Sequence, residues 1–291
     1  MRKLRRMKYL IISHPVLRWR VTIQFDTLKI GQMLKECFSE FCLKDDKICS
    51  SVPSSRILKV QCTGTGYRID GIDQELCDLE SVIGLLMELI SGSFFLTSDV
   101  YTFLHGAALE KQGRCHLFIA PTMTGKTTTT AILCTKGYGY FSDDVIAVHN
   151  QSLQVVSFPR VMCIRNEKLL ADYDMKWERC FKRLSFQVKS PEQYADGFET
   201  RACYIPNNTY SVCGSGLNIE RIVFLERNQS CMDSIYKKIN GFQSFPLLSK
   251  NMRDYRQYKT NKSVLMHLIK AVPMYLLTYS DGYTYLSDIG I

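Results

Sequence analysis

The distribution of apolar residues along the chain predicts alternating strands and helices. Residues 115–120 form an apolar run with the length of a buried strand, and residues 126–136 have the composition of a helix that ends at a glycine. Residues 138–142 form a second apolar run, which predicts a strand beside the first. This order of strand, helix and strand is typical of an α/β fold.

The first third of the chain indicates a small, mostly β lobe. Short apolar runs at 21–23 and 57–60 predict strands, with a turn at 63–66. Apolar positions at helical spacing predict a helix over 79–90, with Asp78 as its N-cap and a stop at the serine and glycine that follow it. We expect this helix to pack against the later sheet and to link the lobe to it. A groove for a partner protein is the alternative.

In the later part of the chain, only some segments have an apolar pattern that predicts a strand or a helix. Residues 145–148 and 153–158 predict a β-hairpin. Near the end, a strand is predicted at 219–225, a helix at 263–271 and a strand at 274–278.

Residues 166–209 are polar and irregular, with scattered basic and aromatic side chains. They are expected to form either a loop that contacts an acceptor or an exposed basic surface. We place one domain boundary near residue 98. Residues 1–98 would form an N-terminal α+β lobe with a linker helix, and residues 99–291 would form the larger domain.

The composition indicates a globular protein with anionic partners. The chain has 291 residues, of which 46% are hydrophobic, and a formal net charge of +9. Its basic residues are dispersed apart from a run at 2–6, which we interpret as a solvated end. A nucleotide or an acidic peptide is therefore expected as a partner, and nucleic acid is not.

The cysteines and the hydropathy pattern indicate a reducing, cytoplasmic environment. The 12 cysteines are scattered, include no C-x-x-C pair and follow no secretory signal. They are expected to be reduced thiols rather than disulfides or zinc ligands. No uncharged apolar stretch of about 18 residues is present, so no membrane span is predicted.

The sequence Thr124-Gly125-Lys126-Thr127 is the second half of a P-loop. In this motif, backbone N–H groups and a helix N-terminus surround the phosphates, the lysine contacts the β- and γ-phosphates, and the last hydroxyl ligates Mg²⁺. Ala120 stands where the motif has its first glycine. We predict a site for ATP or another nucleoside triphosphate with Mg²⁺, formed by Ala120, Pro121, Thr122, Met123, Thr124, Gly125, Lys126, Thr127 and Thr128.

Two adjacent carboxylates, Asp143 and Asp144, follow the second predicted strand. Ligands bind at the carboxyl ends of strands in parallel sheets, so both acids are expected at the phosphate end. Neighbours on a strand face opposite sides, which predicts different roles for the two acids. One would hold Mg²⁺, for which we choose Asp144 together with Thr127, and one would accept a proton from an attacking hydroxyl. A solvated turn is the alternative.

Two further residues are candidates for the same site. His105 precedes a predicted hairpin that leads into the P-loop strand, although a lone histidine is more often structural. Arg160 follows the next hairpin, and an arginine there would stabilise charge on a transferred phosphoryl group.

The order of these motifs resembles the catalytic domain of HPr kinase/phosphorylase, and more closely the HPr-kinase-related proteins that accompany ribosomally made peptides such as lasso peptides. The resemblance implies a P-loop kinase domain of the HPr kinase C-terminal, PEP carboxykinase-like type, beside a smaller, mostly β N-terminal lobe. The matching positions are His105-Gly106, the G-K-T loop, Lys136-Gly137-Tyr138, Ser142-Asp143-Asp144, Phe158-Pro159-Arg160 and, loosely, residues 273–277.

The resemblance also implies a function, which is ATP-dependent phosphorylation of a serine on a peptide or small protein. Lys126 and Thr127 would bind phosphates and Mg²⁺, the two acids would supply the base and a metal contact, and His105 would lie beside the transferred group. HPr kinases form oligomers, and this property is implied as well. We find no counterpart of the segment that serves the phosphorylase reaction, so a kinase alone is expected. From the residues, a nucleotide-binding sensor and a P-loop NTPase are the other two hypotheses.

Overall fold

The computed structural model of this protein describes residues 7–14, 19–38, 41–42, 56–95, 99–158, 161–165, 167, 177–191, 198–207, 216–231, 233–253 and 262–280. These residues form several sheets together with helices, which confirms a mixed α/β class. None of the helices in the described ranges is both long and apolar enough to cross a membrane.

The secondary-structure elements are numbered in chain order. The strands are β1 (Lys8–His14), β2 (Trp19–Phe25), β3 (Arg56–Cys62), β4 (Tyr67–Ile69), β5 (Tyr101–Leu104), β6 (Gly106–Lys111), β7 (Arg114–Ile119), β8 (Gly139–Ser142), β9 (Ile146–His149), β10 (Val155–Val156), β11 (Met162–Ile164), β12 (Phe181–Pro191), β13 (Phe198–Pro206), β14 (Ile219–Arg227), β15 (Ile235–Lys238) and β16 (Met274–Tyr279). The helices are α1 (Leu28–Cys37), α2 (Leu79–Phe94), α3 (Lys126–Thr135), α4 (Trp177–Cys180), α5 (Gly241–Lys250) and α6 (Lys262–Ala271).

The chain divides into two compact units. The first contains the described residues within 1–97, 159–169 and 181–205. The second contains those within 98–158, 170–180 and 206–291. The sequence predicts a single boundary near residue 98. The chain does pass from the first unit to the second near this residue, but two later segments, 159–169 and 181–205, belong to the first unit again.

The described residues of the first unit form two sheets and two helices. Strands β1 to β4 form one sheet in chain order, with β2 and β3 parallel and the other neighbours antiparallel. This confirms the strands predicted at 21–23 and 57–60. In the second sheet β13 lies between β11 and β12. Both of the returning chain segments therefore contribute to this second sheet.

The sequence predicts an irregular segment between residues 166 and 209. In the structure, this part of the chain contains strands β12 and β13. The buried apolar positions of β12 include Phe181, Leu184 and Val188, which do not alternate with a period of two. In β13 the consecutive residues 202–204 are all buried. Because neither pattern is the alternation typical of a half-buried strand, pairing between these strands was not visible in the apolar pattern.

Helix α2 belongs to the first unit. The Asp78 carboxylate caps it by accepting a hydrogen bond from the Ser81 backbone N–H at 2.8 Å, as predicted. The helix continues through the predicted stop as far as Phe94, whose side chain is fully buried. Within the first unit it packs against β12, α1, β2 and β4.

Gly84 allows α2 to approach β12 closely. A Cβ atom at this position would lie 2.1 Å from the backbone carbonyl oxygen of Lys189. We expect Gly84→Ala to lower the free energy of unfolding by about 2–3 kcal/mol, because a strand carbonyl cannot move aside as a flexible side chain does. The change would be measured as a lower midpoint of urea denaturation.

Gly92→Ala is the matched control, since it lies in the same helix and nothing is within 4 Å of the added Cβ atom. It is expected to leave stability unchanged or to raise it by up to about 1 kcal/mol through helix propensity. Equal midpoints for the two variants would contradict the close approach at Gly84.

The second unit is built around a six-stranded sheet of order β15-β16-β14-β7-β6-β8. Strands β7, β14 and β16 are parallel, and β6 is antiparallel to both β7 and β8. The sequence predicts β8 directly beside β7, which is wrong because β6 lies between them. Since β6 runs opposite to both neighbours, β7 and β8 nevertheless point in the same direction.

This strand order brings three chain positions to one edge of the sheet. The carboxyl ends of β7 and β8 and the amino end of β6 lie there, and they carry the P-loop, the paired acids and His105. Apolar side chains of the sheet pack with those of α5 and α6, and this core includes Leu117, Phe224, Leu248 and Leu268. Strands β5, β9 and β10 form a separate small sheet, in which β9 and β10 are the predicted hairpin.

Candidate functional site

The loop between β7 and α3 contains two residues in the left-handed backbone conformation. Gly125 is the N-cap of α3 and has a left-handed φ of 86°, and Met123 has a φ of 68°. Glycine adopts this conformation without steric cost, whereas Met123 stores strain of the kind that concentrates at functional sites. Ala120 is not among the described residues with positive φ. Alanine is therefore compatible with the backbone at the position where the motif has glycine.

Lys126 is folded back on this loop. It is only 6% exposed, and its Nζ donates hydrogen bonds to the carbonyl oxygens of Ala120 at 2.9 Å and Pro121 at 2.8 Å. These neutral acceptors hold the ammonium group beside the loop. A phosphate oxygen would be a stronger acceptor because it is charged.

Asp143 follows β8 directly and faces the first turn of α3. Its side chain is buried, and its Oδ2 accepts a hydrogen bond from the Thr127 hydroxyl at 3.1 Å. The P-loop hydroxyl and one of the two acids are thus in contact. The sequence analysis chose Asp144 as the acid that would share Mg²⁺ with Thr127, and the acid that Thr127 contacts here is Asp143.

Asp144 has a different environment. Strand β8 ends before the acids, and Asp144 is left-handed with a φ of 72°, so a turn rather than strand alternation separates the two side chains. The Asp144 carboxylate is 31% exposed, and its Oδ1 lies 3.3 Å from Arg253 Nη2 and 3.3 Å from His105 Nδ1. Asp143 therefore faces the P-loop hydroxyl, and Asp144 faces the histidine and an arginine.

His105 lies at the amino end of β6 and is largely buried. Its Nε2 is 3.5 Å from the Thr122 hydroxyl in the P-loop. Burial lowers the pKa of His105 to about 4, with Lys126 and Arg253 acting in the same direction and Asp144 opposing them. The imidazole is therefore neutral at pH 7.

Two residues that the sequence did not single out complete the site. Arg253 contacts His105 and Asp144, and the Tyr279 hydroxyl at the end of β16 donates a hydrogen bond to the Thr124 carbonyl oxygen. Neither residue lies in a recognisable motif. A buried tyrosine at the carboxyl end of a parallel strand was the one available signal, because such ends face the ligand side of the sheet.

The remaining predicted residues are placed as follows. Arg160 lies outside the described residues. In the loop, Pro121, Thr122 and Met123 are exposed, and Thr124, Thr127 and Thr128 are partly buried.

The residues present fit a complex of Mg²⁺ with a nucleoside triphosphate. Magnesium in nucleotide sites takes hard oxygen ligands, usually one or two protein groups together with phosphate oxygens and water. The Thr127 hydroxyl and the Asp143 carboxylate, which touch each other at the start of α3, are such ligands. The loop N–H groups and Lys126 can contact the phosphates.

The fold and the site together define a mixed α/β protein in which a buried strand, a glycine-containing loop and a helix follow one another. No family model and no curated protein matches the sequence. Solved structures do match, and they include the HPr(Ser) kinase/phosphatase from Coxiella burnetii. That match has 9% sequence identity and a TM-score of 0.29, and it covers 64% of this chain and 85% of the other. The similarity is remote, and the functional argument therefore rests on the residues of the site.

Proposed function

We propose that this protein is a kinase that transfers the γ-phosphoryl group of a nucleoside triphosphate, with Mg²⁺, to a hydroxyl group. The observation that carries the proposal is the contact between Thr127 and Asp143 at the P-loop, with Asp144 and His105 at the same sheet edge. A phosphate loop alone would suit any nucleotide-binding protein. A second acid can serve as the base that phosphoryl transfer to a hydroxyl uses, and the histidine can donate a hydrogen bond to a phosphoryl oxygen.

The reaction follows from these positions. The acceptor oxygen attacks the γ-phosphorus, the bond from this phosphorus to the β,γ-bridging oxygen breaks, and the nucleoside diphosphate leaves. Asp144 accepts the hydroxyl proton, because it is the more exposed acid, with 31% of its side chain accessible. Lys126 leaves the loop carbonyls and contacts the phosphates. Thr127 and Asp143 would hold Mg²⁺, which neutralises phosphate charge when bound.

We propose serine on a peptide or small protein as the acceptor. This part of the proposal is supported by the sequence motifs, which resemble HPr kinase/phosphorylase and its relatives associated with ribosomally made peptides. The net charge of +9 is consistent with an acidic acceptor.

Incubation with γ-labelled ATP, Mg²⁺ and a pool of cellular peptides tests the proposal. We expect label on serine, located by mass spectrometry, and no label on matched synthetic peptides in which alanine replaces that serine. Release of free phosphate without transfer would identify an NTPase instead. Nucleotide binding with neither transfer nor release would identify a sensor.

A further inference from the structure

The segment that carries Arg253 is fixed to the site by backbone hydrogen bonds. The His105 backbone N–H donates to the Asn251 carbonyl oxygen at 2.6 Å, and the Arg253 backbone N–H donates to the Phe103 carbonyl oxygen at 2.8 Å. Residues 251–253 therefore run antiparallel to the chain just before β6. This pairing determines where the Arg253 side chain begins.

The Arg253 guanidinium converges on a single nitrogen of His105. Its Nη2 lies 2.7 Å and its Nε 3.2 Å from His105 Nδ1, and the same Nη2 lies 3.3 Å from Asp144 Oδ1. The Arg253 side chain is 15% exposed. The arginine thus holds the histidine and the acid together in a mostly buried position.

These contacts determine which histidine nitrogen carries the proton. A guanidinium has donors only, so His105 Nδ1 must accept from Arg253 through its lone pair. The proton of the neutral ring is then on Nε2. The Asp144 carbonyl oxygen, 3.1 Å from Nδ1, and the Asp144 carboxylate Oδ1, 3.3 Å from Nδ1, would both need the opposite tautomer, and the two arrangements exclude each other. The contact with Arg253 Nη2 decides between them, because it is the shortest at 2.7 Å and a guanidinium N–H facing a ring N–H at that distance would be repulsive.

We infer that Arg253 is a positioning residue that keeps His105 as the Nε2–H tautomer and directs this N–H group toward the P-loop. His105 Nε2 lies 3.5 Å from the Thr122 hydroxyl, on the loop that would hold the phosphates. The consequence for catalysis rests on the proposed function. There, the Nε2–H group is a donor for an oxygen of the transferred phosphoryl group, and Arg253 keeps Asp144 beside the acceptor.

Nitrogen-15 NMR of histidine-labelled protein tests the tautomer without any turnover. The protein has five histidines, and the signals of His105 are assigned by their loss in His105→Gln. At pH 7 we expect the wild-type protein to show the nitrogen-15 signals of a His105 ring that carries its proton on Nε2 (the Nε2–H pattern). In Arg253→Met we expect the Nδ1–H pattern, because Nδ1 can then donate to the Asp144 carbonyl oxygen. A wild-type His105 protonated on Nδ1 would overturn the inference, even if the variant failed to fold.

Lys250→Met is the matched control, because it removes an exposed cation from the end of α5 in the same part of the chain. Its His105 spectrum should equal that of the wild type. An unchanged Nε2–H pattern in folded Arg253→Met would contradict the inference as well.

Kinetics provide the second readout. Arg253→Met should lower kcat about 10- to 100-fold while the KM for the nucleotide changes less than about two-fold, as expected for a residue that orients a catalytic group. Lys250→Met should change neither.

If the wild type transfers no phosphate but shows the expected tautomer, the proposed function fails and the role of Arg253 in fixing the tautomer stands. If the wild type is active and Arg253→Met keeps its kcat, the catalytic role of Arg253 is wrong.

Discussion

Replacing either acid by asparagine is expected to reduce phosphoryl transfer at least about 10³-fold while nucleotide binding stays measurable. Asp143→Asn removes a carboxylate that contacts Thr127, and an amide is a poor substitute at a Mg²⁺ site. Asp144→Asn removes the proposed base. Asparagine is the appropriate replacement at residue 144, because it tolerates the left-handed φ of 72° better than alanine does. Single-turnover transfer and equilibrium binding of a labelled nucleotide measure the two effects.

Asp99→Asn is the control for these variants, since Asp99 is an exposed aspartate of the same unit. It should retain full transfer activity. If both site variants kept wild-type activity, the assignment of the two acids would be wrong. If Asp143→Asn alone lost activity, Asp143 would be the essential acid and Asp144 would not be the base.

Lys126→Met is expected to weaken nucleotide binding by at least about 10-fold and to reduce transfer further. A hydrogen bond between charged groups contributes roughly 1.5–3 kcal/mol, which corresponds to about a 10- to 150-fold change in the dissociation constant. The transition state carries more charge on the γ-phosphoryl oxygens, so the loss of the ammonium group should affect kcat in addition to binding. Isothermal titration with a non-hydrolysable ATP analogue would measure the first effect and single-turnover kinetics the second.

Lys136→Met is the control, because Lys136 is an exposed lysine at the other end of α3. It should bind the analogue as the wild type does. Wild-type affinity in Lys126→Met would show that the lysine stays on the carbonyl oxygens of residues 120 and 121 in the bound state, which would contradict the proposed site.

The local elements of the site were predictable because each depends on a short stretch of sequence. The apolar run before the P-loop became β7, and the glycine before Lys126 became the left-handed N-cap of α3. The paired acids were expected at this sheet edge from their position after a strand, whereas His105 was placed there only by the family resemblance. A hairpin leading into β7 was expected as well, but the position of its first strand, β6, between β7 and β8 was not foreseen.

Other features depended on contacts between distant parts of the chain. The acids were expected to differ because they alternate along a strand, but a turn with Asp144 in a left-handed conformation separates them. The contact of Thr127 with Asp143, rather than with the acid chosen as its partner at a metal, is another such feature. Strands β12 and β13 join the first unit after the chain has passed through the second. A single boundary in sequence does not describe such a path.

By itself, the sequence determined the α/β class and the succession of strand, loop and helix around Lys126, because strand length, helix caps and loop glycines act over a few neighbouring residues. Only the tertiary structure decided how these groups pair. Arg253 is 148 residues away from His105 along the chain, and the backbone pairing of 251–253 with 103–105 brings them into contact. Such pairing depends on long-range packing, which leaves no periodic pattern in the local sequence.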